Sequence, residues 1–345
     1  MYIEALSLGC GLPDADFDAC VHSVFQSAAN LRLARGSRLL TLLASSQADL
    51  PQGIRLNTPQ GFSFERLSLG EQATSRDGLL RFENSSLTIE LRGASRWKCD
   101  LPSLNADMTD LDVAAAWESV WQALGERQAL PDSDRVGVAL SCQVELVETL
   151  SKGAAQSLVG DLFRPDAALQ MGASRKAGEA LRKLVDLTRR LDLIATSTVG
   201  ALIGLGPGLT PGGDDLLVGY LAGLWCTVRD RNERARFIST LGKTVIRLSR
   251  QTNDISRTYL YHAARGQVSS RLAALAEAIC AQHLLGRGDH SDRLLEAAES
   301  AMRVGHTSGM EAVAGLLVGL TVWNSPRTPP PLSDRSASLP VHGCN

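Results

Sequence analysis

Two adjacent carboxylates, Asp214 and Asp215, stand near the end of "GLGPGLTPGGDDLLVG", a stretch with six glycines and two prolines between Gly204 and Gly219. Backbone this rich in Gly and Pro follows a path that other residues resist. It runs into the apolar pattern "DDLLVGYLAGLW", which predicts a helix over roughly 214–228. A glycine-rich loop at a helix N-terminus presents several N–H groups and the positive end of the dipole, and together these favour an anion. The aspartates complicate that chemistry. They can be helix caps, worth about 0.3–1 kcal/mol each. They can hold a metal ion that bridges to an anion, or they can bind the cationic or amide end of a substrate. Six glycines exceed what a tight turn needs, so a ligand site is the favoured reading.

A second stretch repeats the design. In "HTSGMEAVAGLLVGL", from His306, a Thr, a Gly and an acid again precede an apolar helix. Asp215, Gly219, Gly223 and Leu224 match Glu311, Gly315, Gly319 and Leu320 in spacing, and Thr210-x-Gly212 mirrors Thr307-x-Gly309. Glycines four apart make a stripe along which two helices can approach closely. Parallel packing would bring both Thr-Gly loops to one end, and antiparallel packing would separate them. A third stretch, "TNDISRTYL", offers Thr252 or Asn253 as a helix cap, with Arg257 and Tyr261 one turn apart on one face. Arg257 suits bidentate binding of a phosphate or carboxylate.

The candidate ligand-binding residues are therefore Gly206, Gly208, Thr210, Gly212 and Gly213 in the first loop, Thr307, Ser308 and Gly309 in the second, and Arg257. The candidate catalytic residues are His306, which can move a proton or polarise a carbonyl, with Asp214 and Asp215.

In this order and near these separations, the three motifs resemble the AllH family. The resemblance is strongest over about 190–322, weaker over the first third, and absent from the Pro-rich tail after Trp323. It implies a subunit of oxamate carbamoyltransferase that works with FdrA-like and AllG-like partners in the anaerobic breakdown of allantoin. There, oxalurate and phosphate become oxamate and carbamoyl phosphate, and a carbamate kinase uses the latter to make ATP. No catalytic residue comes with the resemblance.

Two other classes stay open on the residues themselves. One is a metal-dependent enzyme in which Asp214, Asp215 and Glu311 hold Mg²⁺ against a phosphate, which makes Mg²⁺ the one cofactor to weigh. The other is a non-catalytic scaffold or ligand-sensing subunit. The common nucleotide, hydrolase and metal motifs are absent: "GKT" at 242–244 lacks the first Walker A glycine, and Leu209 breaks the dinucleotide fingerprint.

The elements that must position these groups divide by period. Residues 1–105 read as β-rich, with the alternation Leu87, Ile89, Leu91 against Thr88, Glu90, Arg92, and predict a small barrel or sandwich. From Asp110 or Thr109 the period turns helical, with Val113, Trp117, Val120, Trp121 and Leu124 on one face. Helices are predicted over roughly 141–152, 174–193, 231–249, 254–265, 268–285, 291–304 and 309–323 besides that already given. The fold class is α+β, with an α-helical domain over 106–324 and a disordered tail over 325–345.

Composition narrows the setting. At 345 residues, 44% hydrophobic and net charge −2, the chain shows no basic face for nucleic acid or an anionic membrane. Seven scattered cysteines without a CxxC favour reduced thiols and a cytoplasmic location. The first residues carry acids and no basic segment, so no signal peptide is expected. The uncharged run from Leu193 to Gly213 has the length of a membrane span. Pro207, Pro211 and six glycines break it, so it is expected to be a buried loop and its approach.

Overall fold

The computed structural model describes residues 1–34, 36, 38–129, 175–229, 231–281, 290–305 and 307–323. Its first part is a closed barrel of β1 (Tyr2–Gly9), β2 (Phe17–Val24), β3 (Ala28–Leu33), β4 (Leu39–Leu43), β5 (Gly53–Leu56), β6 (Gln72–Arg76), β7 (Leu79–Phe82) and β8 (Thr88–Glu90). Neighbours run β5-β4-β3-β2-β6-β7-β8-β1, and β1 also pairs with β5 to close the ring. Tyr2 to Glu4 of β1 lie parallel to β8, whereas Ala5 to Leu8 pair antiparallel with β5 across a register shift between Ala5 and Ser7. A short β9 (Ser95–Trp97) continues beside the end of β1. Closure leaves those eight strands without an open edge.

Inward residues alternate as the period of two requires: Ile3 and Ala5, Ala19 and Val21, Leu31 and Leu33 are buried. The β6–β7 hairpin turns on Asp77 (φ 50°) and Gly78 (φ 72°), the two left-handed positions of a two-residue turn that matches strand twist.

Glu71 fixes the corner before β6. Only 3% exposed, it accepts N–H groups from Ser68 (3.2 Å), Asn84 (2.9 Å) and Ser85 (2.6 Å). Burial pushes its carboxyl up, and these donors outweigh burial and hold it below the ordinary glutamate value. The folded pKa is depressed, so its contribution is present above about pH 4.3 and lost as pH falls through the folded value. Glu71→Ala is expected to destabilise the barrel by about 3 kcal/mol by orphaning those N–H groups, read as a lower urea midpoint at pH 7.

The helical region comprises α1 (Leu111–Ala129), α2 (Arg175–Arg189), α3 (Ala195–Thr198), α4 (Gly212–Cys226), α5 (Asn232–Leu248), α6 (Asp254–Ala263), α7 (Ser270–Cys280), α8 (His290–Met302) and α9 (Ser308–Thr321) among the described residues. Asp110 starts α1 by accepting the Asp112 N–H at 2.9 Å. The predicted stripe faces inward: Val113, Val120 and Leu124 are buried, and Trp121 stacks on Trp117 at 5.5 Å. The Trp117 indole N–H donates to the Leu317 carbonyl at 2.8 Å, which ties α1 to α9. The predicted helix over 141–152 and the tail over 325–345 lie outside the described residues.

The barrel braces α6. All of β4 is buried because α6 packs on its outer face. Asp254 at the start of α6 pairs with Arg32 of β3 and lies 3.4 Å from His22 of β2. Further along, Arg38 and Arg265 sit over the Tyr261 ring at 5.6 and 3.7 Å.

The uncharged run from Leu193 to Gly213 corrects an expectation. It is not a buried loop: Leu193 and Ile194 are exposed, and so is the crest from Gly206 to Leu209. Positive φ at Gly204, Gly206 and Gly208 (73°, 109° and 104°) carries the chain outward over the N-terminus of α4. Among the described residues, no helix is long and apolar enough to cross a membrane.

Candidate functional site

The glycine stripes of α4 and α9 bring their backbones into contact, and the two helices run parallel. A Cβ on Gly219 would land on the Ala312 carbonyl, and one on Gly315 on the Leu216 carbonyl. Gly223 meets Leu316 and Leu320, and Gly319 meets Tyr220 and Leu224, in the same reciprocal way. Each contact maps onto another when α4 and α9 are exchanged, so a local two-fold axis runs along the pair. The matched spacing in the sequence is the imprint of that symmetry.

Parallel packing puts both loops at one end. The Thr210 and Ser308 hydroxyls meet at 2.6 Å. Asn253 caps α6 by accepting the Ile255 and Ser256 N–H groups, both at 3.0 Å. Its side-chain amide donates to the Leu209 carbonyl at 2.8 Å, so the third motif holds the crest of the first.

Asp214 does not cap its own helix. Its Oδ1 accepts the Gly204 N–H at 2.8 Å and its Oδ2 the Thr252 hydroxyl at 2.5 Å. Burial raises its pKa, and Thr252, Gly204 and Ser256 pull against that rise. This carboxylate ties the loop to the start of α6, and both its oxygens are occupied.

Asp215 is different. It is 9% exposed, and its Oδ2 has no hydrogen-bond partner. Burial is the main reason its pKa rises to about 8; the Ser308 and Thr210 hydroxyls oppose the rise, while Glu311 and Asp214 add to it. Glu311 occupies the equivalent place on α9 and is also raised by burial, against the pull of Thr307. Its Oε2 is buried without a partner, and its carboxyl fills the space where a Cβ on Gly212 would be. Gly212 is therefore required by close approach, without a positive φ.

Among the described residues the N–H groups of Gly206, Gly208, Leu209, Thr210 and Gly212 make no hydrogen bond. Gly213 departs from its predicted role, since its N–H donates to the Leu205 carbonyl at 2.8 Å. Gly309 likewise packs against the Ala301 and Met302 carbonyls, so a side chain is excluded by packing. Thr307 is exposed at the start of α9, and His306 lies outside the described residues.

Arg257 is half-buried at the start of α6, and its Nε has no partner. It forms an ion pair with Asp254, the carboxylate that holds Arg32, and Tyr261 carries the cation contacts of Arg38 and Arg265. Tyr259 is the residue that sequence reading missed. Burial, with the nearby Asp215, pushes its hydroxyl up to about 12. The signal was present in the spacing: Ser256 and Tyr259 stand three apart, on one face of α6.

A metal fits poorly. Asp214 is committed to protein donors, and among the described residues no group of three or more His, Cys, Asp or Glu is placed to hold an ion. Clefts of about 250 Å³ beside Arg92 and Arg96, and about 310 Å³ beside Arg234 and Trp323, lie away from the loops. Neither has glycine-rich backbone with paired buried acids.

The family model described as oxamate carbamoyltransferase subunit AllH matches residues 202–320, and that of the AllH family N-terminal domain matches residues 7–96. The chain belongs to the AllH family. The first AllH match begins at the approach to the glycine-rich loop and ends in α9, and so contains the whole candidate site; the second covers nearly all of the barrel. No solved structure matches the chain.

Proposed function

We propose that the chain is a subunit of a carbamoyltransferase complex that binds small anions, with oxamate, oxalurate and carbamoyl phosphate as substrates. One observation carries this reading: the crest N–H groups have no partner among the described residues, and the Thr210 and Ser308 hydroxyls meet beside them where two parallel helices begin. Two helix N-termini pointing the same way add their dipoles, and their donors are fixed before a ligand arrives.

In the reaction, a phosphate oxygen attacks the ureido carbonyl carbon of oxalurate. The bond from that carbon to the oxamate nitrogen breaks, and the nitrogen takes up a proton as oxamate leaves. The N–H groups of the crest hold the anionic end and orient it for attack, the part of catalysis that fixed geometry supplies best. Asp214 is the positioning residue that fixes the loop. FdrA-like and AllG-like subunits complete the proposed complex, which serves allantoin breakdown in the cytoplasm.

Gly208→Ala tests the reading. Alanine is strained at φ 104° and displaces the crest. In the complex assembled with its partner subunits, formation of carbamoyl phosphate from oxalurate and phosphate is expected to fall on the order of a hundredfold. Full turnover and unchanged oxamate binding would remove the loop from the site.

A further inference from the structure

The paired acids Asp215 and Glu311 oppose anion binding if both are ionised, yet they stand beside the donors that would hold the anion. We propose that the two carboxyls share one proton and together read the carbamoyl group of the ligand, the protonated member donating to its carbonyl oxygen and the ionised member accepting from its NH₂. This rests on the anion-binding reading of the site and names the ligand class within it: small anions bearing a primary carboxamide or carbamoyl group.

Geometry carries the inference. The two-fold relation of α4 and α9 puts Asp215 and Glu311 at equivalent first-turn positions on either side of the local axis. Each has one buried oxygen without a partner, and Asp215 is nine-tenths buried. A carboxylic acid beside a carboxylate offers one donor and one acceptor, which is the complement of an O=C–NH₂ edge. Two dipolar helix starts and the unpartnered N–H groups then remain for the anionic end of the same ligand.

The groups facing the pair leave the proton there. Among the described residues they are Asp214 on the same helix, the Thr210 and Ser308 hydroxyls of the two loops, Thr307 beside Glu311, and Tyr259 from α6. None of these is a cation, and Arg257, the cation that the third motif offers, pairs with Asp254 through its Nη2. Two buried like charges in proximity raise the pKa of at least one of them.

Calorimetric binding to the full chain in its complex tests this, with oxamate, N,N-dimethyloxamate and oxalate as probes. Oxamate is expected to bind at least tenfold more tightly than the other two, because dimethylation removes the donor and oxalate has no NH₂. Its affinity is expected to fall as pH rises through about 8, where the shared proton leaves. Asp215→Asn, which fixes a donor in place of the exchangeable one, should flatten that pH profile, and Asp215→Ala should abolish the discrimination among probes. Equal binding of the three probes, an unchanged pH profile in Asp215→Asn, or oxamate binding that requires Mg²⁺ would each overturn the shared proton. Failure of the wild-type complex to bind any probe at any pH would overturn the anion-binding reading beneath it.

Discussion

Gly219→Ala is expected to destabilise the helical region by about 3 kcal/mol or more, with a fall in thermal midpoint of roughly 5–10 °C. The added methyl has nowhere to go: it lands on the backbone carbonyl of Ala312, with the Leu316 nitrogen beside it. Flexible side chains can step aside, but a facing helix backbone can only separate. Gly315→Ala should cost a similar amount, because it makes the reciprocal collision with Leu216 and Tyr220. The double variant is expected to cost less than the sum, since one separation of α4 from α9 relieves both. Gly93, with no atom within 4 Å of its hypothetical Cβ, supplies the control, and Gly93→Ala should leave the midpoint unchanged. A neutral Gly219→Ala would mean that the helices are not in backbone contact.

Asp215→Asn is expected to stabilise the protein at neutral pH by on the order of 3 kcal/mol. The sign follows from the pKa of about 8, raised mainly by burial, against an unfolded value of about 3.9. Below about pH 4 both states hold the proton, and the residue carries no penalty. Between about 4 and 8 the unfolded chain releases the proton and the folded chain keeps it, so stability falls as pH rises. Above about 8 both states are ionised and the loss levels off. Asparagine has no proton to lose, so urea midpoints at pH 5 and pH 8 should differ less in the variant than in the wild type. A variant that is destabilised equally at both pH values would show that Asp215 is ionised and satisfied in the folded state. Such a gain by substitution is the expected signature of a group held in place for a ligand and not for the fold.

Much of this protein is written locally. The alternation through Leu87, Ile89 and Leu91 predicts a strand because side chains on a strand change face at every step, and Leu87 and Ile89 are indeed buried. The stripe Val113, Trp117, Val120, Leu124 predicts a helix face by the same logic at a period of 3.6. The glycines of α4 and α9, and the Thr-x-Gly segments before them, announce two similar helices that touch closely. Motif order and separation point to the AllH family, because those residues are adjacent in the chain.

Tertiary structure decided the rest. Whether α4 and α9 run parallel is invisible to spacing, since a glycine stripe packs in either direction; connectivity and the surrounding core choose it. Closure of the barrel depends on β1 reaching both β8 and β5, a pairing between segments far apart in the chain. Arg257 was assigned to a ligand because its chemistry suits one. In the fold Asp254, one turn away and already drawn to Arg32, pairs with its Nη2, and its Nε stays buried without a partner. Asp214 and Asp215 are neighbours of identical type, and sequence offers no reason to separate them. Rotation by one residue along α4 turns the first toward Gly204 and Thr252, where its charge is satisfied, and the second toward Ser308 and Glu311, where it is not. Burial and partners are properties of the packed chain, and they set the proton affinity on which the proposed chemistry depends.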